Sequence, residues 1–339
     1  MDEKIQRAIG ASIGTTLLGM LIIGTFLGAL HDPQPHGIPI AMVGPAAGIS
    51  QVETAIGRQA PGAFDFATYS SAASAQTGIL QRHADGALLV SPGHPQLIIA
   101  TAGGRFIADA ITTAFQGAAT ATGQSLTIHD IRPLPAHDLN GISPLFFTLA
   151  LILPSAVFGI VLSRALGRRQ RLRGQLAGIA ALGAYSVLLA AAATWVVDGL
   201  IGALTGAPLA LFAIGAFTAF AVSASCAAVS RWGSLGAGIL LALVILPVGL
   251  PASGGPFGPN FPPPWFAHLG IGLPPGATMP AVRNIVYFGS QGLGTPLLVL
   301  AIWAAVGLVG LALPPRRRGQ DHDAADAHSR GEPAAAPAT

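Results

Sequence analysis

Six runs of apolar residues divide the chain, at 9–30, 142–163, 176–197, 207–230, 234–251 and 294–313. A helix needs roughly 20 apolar residues to cross a hydrocarbon layer about 30 Å thick, and every run is close to that length. The third and fourth runs are parted by Asp198 and three glycines, with Pro208 just after the break, so they read as two spans rather than one overlong helix. The fifth run is the shortest and is interrupted by Pro247 and Pro251. Between the first and second runs the period changes. Short β-type stretches occupy 38–43, 64–69, 86–90 and 97–101, with an extended segment at 127–134. Helical stretches follow Ser50, which with Glu53 three residues on forms a candidate capping box, and cover 71–83 and 105–122. Ser91-Pro92-Gly93-His94-Pro95 is a turn signal that pairs the third and fourth strands. The order β-α-β-α-β-β-α-β predicts a small α/β domain with a mixed sheet.

The predicted fold is therefore an α-helical integral membrane protein with six transmembrane helices. A small extracytoplasmic α/β domain sits between helices one and two. Residues 1–30 form the N-terminus and first helix, 31–141 the α/β domain, and 142–315 a five-helix membrane domain. Residues 316–339 form a disordered cytoplasmic tail. Small residues at helical spacing, Gly10/Gly14 and Gly24/Gly28, predict close helix contact in the first span, either inside the bundle or at a dimer seam.

Composition agrees with a lipid solvent. Of 339 residues 52% are hydrophobic and 9% are charged, where soluble proteins carry about 25% charged residues. None of the 31 Asp, Glu, Lys and Arg residues falls inside the six runs, and each would cost roughly 2.5–3.5 kcal/mol at a helix centre. Charge placement then orients the chain. Lys4, Arg7, Arg164, Arg168, Arg169, Arg171, Arg173, Arg231, Arg316, Arg317, Arg318 and Arg330 fall in the short segments of one side. The long segments of the other side hold only Arg58, Arg82, Arg105, Arg132 and Arg283. Loops rich in Lys and Arg stay inside, so a multi-pass protein of the cell membrane with both termini cytoplasmic is expected. The first run exceeds the apolar length of a signal peptide and lacks an A-x-A site after it, so it is expected to remain as an anchor. A pI near 9.6 invites a nucleic-acid reading. We exclude it, because the arginines are clustered and Lys4 is the single lysine.

Catalytic chemistry is thin. No G-x-S-x-G element is present, and no two histidines have the spacing of a zinc-binding helix. Asp321-His-Asp323 in the tail is a weak metal candidate. No metal, cofactor or catalytic residue is expected in this chain. The single cysteine, Cys226, sits in an apolar run and reads as a small buried hydrophobe. The charge-free runs argue against a proton-driven carrier, with Asp198 the nearest acid.

Residues 252–293 stand apart. Arg283 is their only charge, amid prolines, glycines and Phe257, Phe261, Trp265, Phe266 and Leu269. The segment is expected to lie in, dip into or rest on the outer leaflet, with 280–288 as a short amphipathic helix.

One span, an outer α/β domain, five more spans and a Pro/Gly-rich outer segment before the last resemble the permeases of the ATP-binding-cassette type-2 (ABC-2) exporter family. The branch is that of phage-infection-protein-like membrane proteins. The resemblance runs through Gly37-Ile-Pro-Ile-Ala-Met-Val-Gly44, Leu80-Gln-Arg-His-Ala-Asp-Gly-Ala-Leu-Leu-Val90 and Asp130-Ile-Arg-Pro-Leu-Pro-Ala-His-Asp138. It continues at Leu273-Pro-Pro-Gly-Ala277 and Val286-Tyr-Phe-Gly289. It implies a dimer of permease protomers, driven by a separate cytoplasmic ATPase subunit that hydrolyses ATP. It implies coupling through the N-terminus and the 163–175 loop with Arg164, Arg168, Arg169, Arg171 and Arg173, although those arginines would also suit anionic headgroups. The candidate residues of the outer interfacial segment are Trp265, Pro274, Pro275, Gly276, Arg283 and Tyr287. A Walker loop needs a lysine after G-x-x-x-x-G, and Lys4 cannot supply it. The expected function is an exporter permease moving an amphipathic or lipid-like substrate outward. The alternative is a non-transporting envelope protein, a receptor or secretion scaffold.

Overall fold

A computed structural model describes residues 3–91, 93–167 and 172–313. Six helices among them are long and apolar enough to cross a membrane: Lys4–Leu30, Ser143–Leu166, Leu172–Leu200, Pro208–Trp232, Leu235–Ala252 and Gly294–Ala312. Each coincides with one of the six apolar runs. The chain is thus consistent with a helical, multi-pass membrane protein.

Helix α1 (Glu3–Leu30) leads into a five-stranded unit. Its elements are β1 (Ile38–Val43), α2 (Ala46–Gln59), β2 (Phe64–Thr68), α3 (Ala72–Leu80), β3 (Gly86–Leu89), β4 (Gln96–Ile99), α4 (Arg105–Ala121) and β5 (Thr127–Asp130). The sheet order is β2-β1-β3-β4-β5, with every pair parallel except the β3–β4 hairpin. The expected mixed sheet and its hairpin are both present. Alternation along β1 assigns its two faces. Ile38, Ile40 and Met42 meet Ile49 and Ile56 of α2 and Ile111 and Phe115 of α4. Ala41 meets Ala75 and Ile79 of α3 on the other face.

One local expectation fails. Helix α2 begins at Ala46 after Pro45, so Ser50 lies inside it and no capping box forms with Glu53. The fixed φ of Pro45 and the turn at Gly44 start the helix a turn earlier than the side-chain signal suggested. The box occurs instead at α3, where the Ser71 hydroxyl accepts from Ser74 N and Ser74 answers to the Ser71 backbone.

The remaining helices are α5 (Ser143–Leu166), α6 (Leu172–Thr194), α7 (Pro208–Trp232), α8 (Leu235–Leu243), α9 (Gly249–Ala252), α10 (Pro264–Ile271), α11 (Pro274–Tyr287) and α12 (Gly294–Ala312). Helix α6 ends in a π-helical turn, Trp195–Leu200, which carries Asp198. A second, Val244–Val248, joins α8 to α9 and absorbs Pro247, whose missing N–H a regular turn would feel. Helix α7 is the centre of the bundle and packs on α5, α6, α11 and α12. Small residues permit this. A Cβ at Gly159 of α5 would come within 2.2 Å of the Ser223 carbonyl oxygen, and one at Gly307 of α12 within 2.7 Å of Ser225 N. Cys226 is fully buried on α7, as its apolar surroundings predicted. The α1 glycines differ. A Cβ at Gly10, Gly14, Gly24 or Gly28 would meet none of the described residues within 4 Å, so close packing inside this bundle does not account for them.

Candidate functional site

The sheet unit stands over one end of the bundle, and residues 252–293 form the joint. Asn260 donates to the carbonyls of His36 (3.0 Å) and Gly37 (3.2 Å), while His36 N donates to the Asn260 carbonyl at 2.8 Å. Phe261 is buried in the core shared by β1, α2 and α4, with Phe257 packed beside it. Tyr287 and Phe288 pack on the face that holds Ala41 and Ile98. The segment is therefore mostly inside the protein. Phe257, Phe261, Tyr287 and Phe288 are covered by the sheet unit, and Phe266 by Ala29 and Ala252, which local hydropathy could not reveal. Trp265 and Leu269 are the exceptions and remain exposed.

Helix α11 covers more than the expected 280–288. Pro274 and Pro275 occupy its first positions, where their missing N–H groups cost nothing. Ten of its residues are buried, including Pro274, Pro275, Arg283 and Asn284, while Gly276 and Tyr287 are partly covered. It packs on α5, α7 and α12. A Cβ at Gly276 would lie 2.1 Å from the Gly270 carbonyl oxygen, so only glycine fits there.

Between α11, the sheet unit and the start of α12 lies a cavity of about 650 Å³, within the usual range for small-molecule sites. Its polar lining includes His36, Arg82, Asp85, Asn260, Arg283 and Asn284. Ile107, Pro262, Ala267, Ile271, Pro296 and Val299 are among its apolar lining. Two guanidinium groups dominate the site.

Arg82 follows the end of α3 with φ of 65°, a left-handed position where glycine is usual. Its Nη2 pairs with Asp85 at 3.1 Å, and its Cζ lies 4.6 Å from the Phe288 ring centroid. Its Nη1 is enclosed without a hydrogen-bond acceptor, as is His36 Nδ1. Gly103 makes room for this group, because a Cβ there would stand 2.8 Å from Nη1.

Arg283 is only 6% exposed. A guanidinium carries five N–H donors. Here its hydrogen-bond acceptor is the Gly141 carbonyl, at 3.4 Å from Nη2. Burial and the like charge of Arg82 pull its pKa down to about 10, against opposing pulls from Tyr287, Asp138 and Asp85. Asp138 itself accepts from Ile142 N and Ser143 N at the start of α5. Burial, then the Asp138 carboxylate, push the Tyr287 phenol above its usual value.

The other predicted site residues lie far from this cavity. Arg164 and Arg173 are exposed at the opposite end of the bundle, on α5 and α6. Arg168, Arg169 and Arg171 lie outside the described residues, as do 314–339 with Asp321, His322 and Asp323. At that same end Arg231 donates to the Leu311 carbonyl and Trp232 Nε1 to the Gly310 carbonyl at 2.6 Å, tying α7 to the end of α12. Among the described residues no three His, Cys, Asp or Glu groups could share a metal ion.

Arg283 was legible in the sequence as the lone charge of an apolar segment. Arg82 was not singled out. The helix expected over 71–83 would have held it, whereas α3 ends at Leu80 and leaves Arg82 beyond the helix end. The chain matches no protein-family model, no curated protein and no solved structure.

Proposed function

We propose that the chain is the permease subunit of an ABC-2 type exporter in the cell membrane, moving an amphipathic or lipid-like substrate outward. A separate cytoplasmic ATPase subunit drives it, and a second permease protomer completes the pathway. The observation that carries this reading is the division of basic charge across six helices whose apolar runs hold none. Lys4, Arg7, Arg164 and Arg173 gather at the end away from the sheet unit. By the positive-inside rule that end is cytoplasmic, and the sheet unit and cavity face outward. The sequence has no lysine placed for a Walker loop, so ATP hydrolysis belongs to a partner. Helix α1 exposes Ile9, Ile13, Leu17 and Ile23, a face open to lipid or to the second protomer.

Affinity purification of the full chain from its native membrane tests this. A nucleotide-binding subunit is expected to co-purify. Its ATP hydrolysis is expected to fall at least tenfold when Arg164, Arg168, Arg169 and Arg173 are all replaced by Gln. Repeated recovery of the chain without any ATPase subunit overturns the reading in favour of a non-transporting envelope scaffold.

A further inference from the structure

The cavity between the sheet unit and the bundle is built from opposed chemistries. At its floor Arg283 presents a buried guanidinium that the protein satisfies with one long hydrogen bond. Arg82, held across from it by Asp85 and Phe288, keeps Nη1 enclosed and without an acceptor. Asp85 is the sole carboxylate among the lining residues, and it is already paired with Arg82. The lining itself thus sets two guanidiniums against one carboxylate, beside the Asn284 amide, while Asp138 pulls on Arg283 from outside the lining. Away from the arginines the wall turns apolar, through Ala267, Ile271, Pro296 and Val299 of α10 and α12. Exposed apolar residues continue outward from there, with Trp265, Leu269 and Ile271 on α10 and Leu297 and Leu298 on α12. Leu297 and Leu298 belong to a helix long and apolar enough to cross a membrane, and α10 packs on α9 at the end of another.

We propose that this cavity binds a single-chain amphiphile with an oxyanion headgroup, of the phosphate monoester type. The headgroup sits between Arg82 and Arg283 and the chain runs along α10 and α12. A guanidinium offers parallel N–H groups that match two oxygens of one phosphate, and two guanidiniums together can hold all three terminal oxygens. The anion supplies the acceptors that Arg82 Nη1 and the spare donors of Arg283 lack. It also offsets the repulsion between the two guanidiniums. The apolar wall gives the hydrocarbon a surface without leaving it in water. The ligand's role as cargo rests on the exporter reading, whereas its binding is a property of this chain alone.

The experiment uses the full chain in phosphatidylcholine nanodiscs, without any ATPase, and decyl phosphate as the probe. Isothermal titration calorimetry is corrected with empty discs. Saturable binding of one decyl phosphate per chain is expected. Arg283→Met weakens it at least tenfold and Arg82→Gln several-fold. Decyl maltoside, which shares the chain but not the charge, fails to compete, and inorganic phosphate competes at least tenfold more weakly than decyl phosphate. Arg82 is partly exposed, so its variant keeps the test open should Arg283→Met not fold. Equal binding by parent and variants overturns the proposal, as does equal competition by decyl maltoside or by inorganic phosphate. Binding that behaves as expected, in a chain that never recovers an ATPase, would leave this site standing while the exporter reading falls.

Discussion

Arg283 is the residue at which stability and use diverge. Its guanidinium is buried, and burial with the like charge of Arg82 pulls its pKa down to about 10. At about 1.4 kcal/mol per unit, that shift corresponds to a cost on the order of 3 kcal/mol in the folded state. The sign follows from proton binding. Below pH 10 both folded and unfolded chains hold the proton, and the folded state bears the whole cost. Above about pH 10 the folded state releases its proton before the unfolded chain does, so stability rises with pH there. Arg283→Met is therefore expected to raise the Tm of the purified protein at pH 7. The gap from the parent should narrow when both are measured above pH 10. A lower Tm for the variant at pH 7 would mean that Asp138 and Asp85 compensate the charge fully. Asp198 is the contrasting residue. It sits at the far end of α6 in a π-helical turn, partly covered. A helix-end role predicts that Asp198→Asn leaves transport within about twofold of the parent, and abolition of transport would point to proton coupling instead.

Elements were read well where the signal is local and poorly where a distant surface decides. The strands were legible because period-2 alternation between two covered faces is written into residues such as Ile38, Ala41 and Met42. The start of α2 was not, because Ser50 and Glu53 have the capping spacing while Pro45 makes them unnecessary. This separates two substitutions of the same kind. Ser71→Ala, at a true N-cap, is expected to cost about 1 kcal/mol of stability, and Ser50→Ala close to nothing. Glycines divide in the same way. The sequence shows Gly10 and Gly159 alike on apolar helices, yet a methyl at Gly159 meets the Ser223 carbonyl oxygen at 2.2 Å and one at Gly10 meets nothing. Gly159→Ala should cost about 1–3 kcal/mol through forced separation of α5 and α7. Gly10→Ala should stabilise α1 slightly through helix propensity. Thermal unfolding in detergent checks both pairs.

At the scale of the whole molecule, hydropathy and charge gave the six spans, but nothing local foretold the joint. Residues 252–293 are apolar because they are sandwiched between the sheet unit and the bundle, and the same composition would suit a segment lying on lipid. Their partners, His36, Arg82 and the β1 core, are more than 200 positions away in the chain, beyond the reach of any periodicity. What the sequence does commit to is orientation, and here the protein offers a direct measurement. Cys226 is fully buried, so the native chain presents no accessible thiol on its surface. Thr54→Cys, exposed on α2, and Arg173→Cys, exposed at the start of α6, lie at opposite ends of the bundle. A membrane-impermeant maleimide added to spheroplasts should label Thr54→Cys and spare Arg173→Cys until the membrane is opened. The reverse pattern would put the sheet unit and its two-arginine cavity in the cytoplasm. The basic end would then face the medium, where no ATPase could engage it, so the positive-inside argument and the exporter reading would fail together. Binding of an anionic amphiphile would survive that inversion, because it depends on Arg82, Arg283 and the wall of α10 and α12 rather than on which side of the membrane they face.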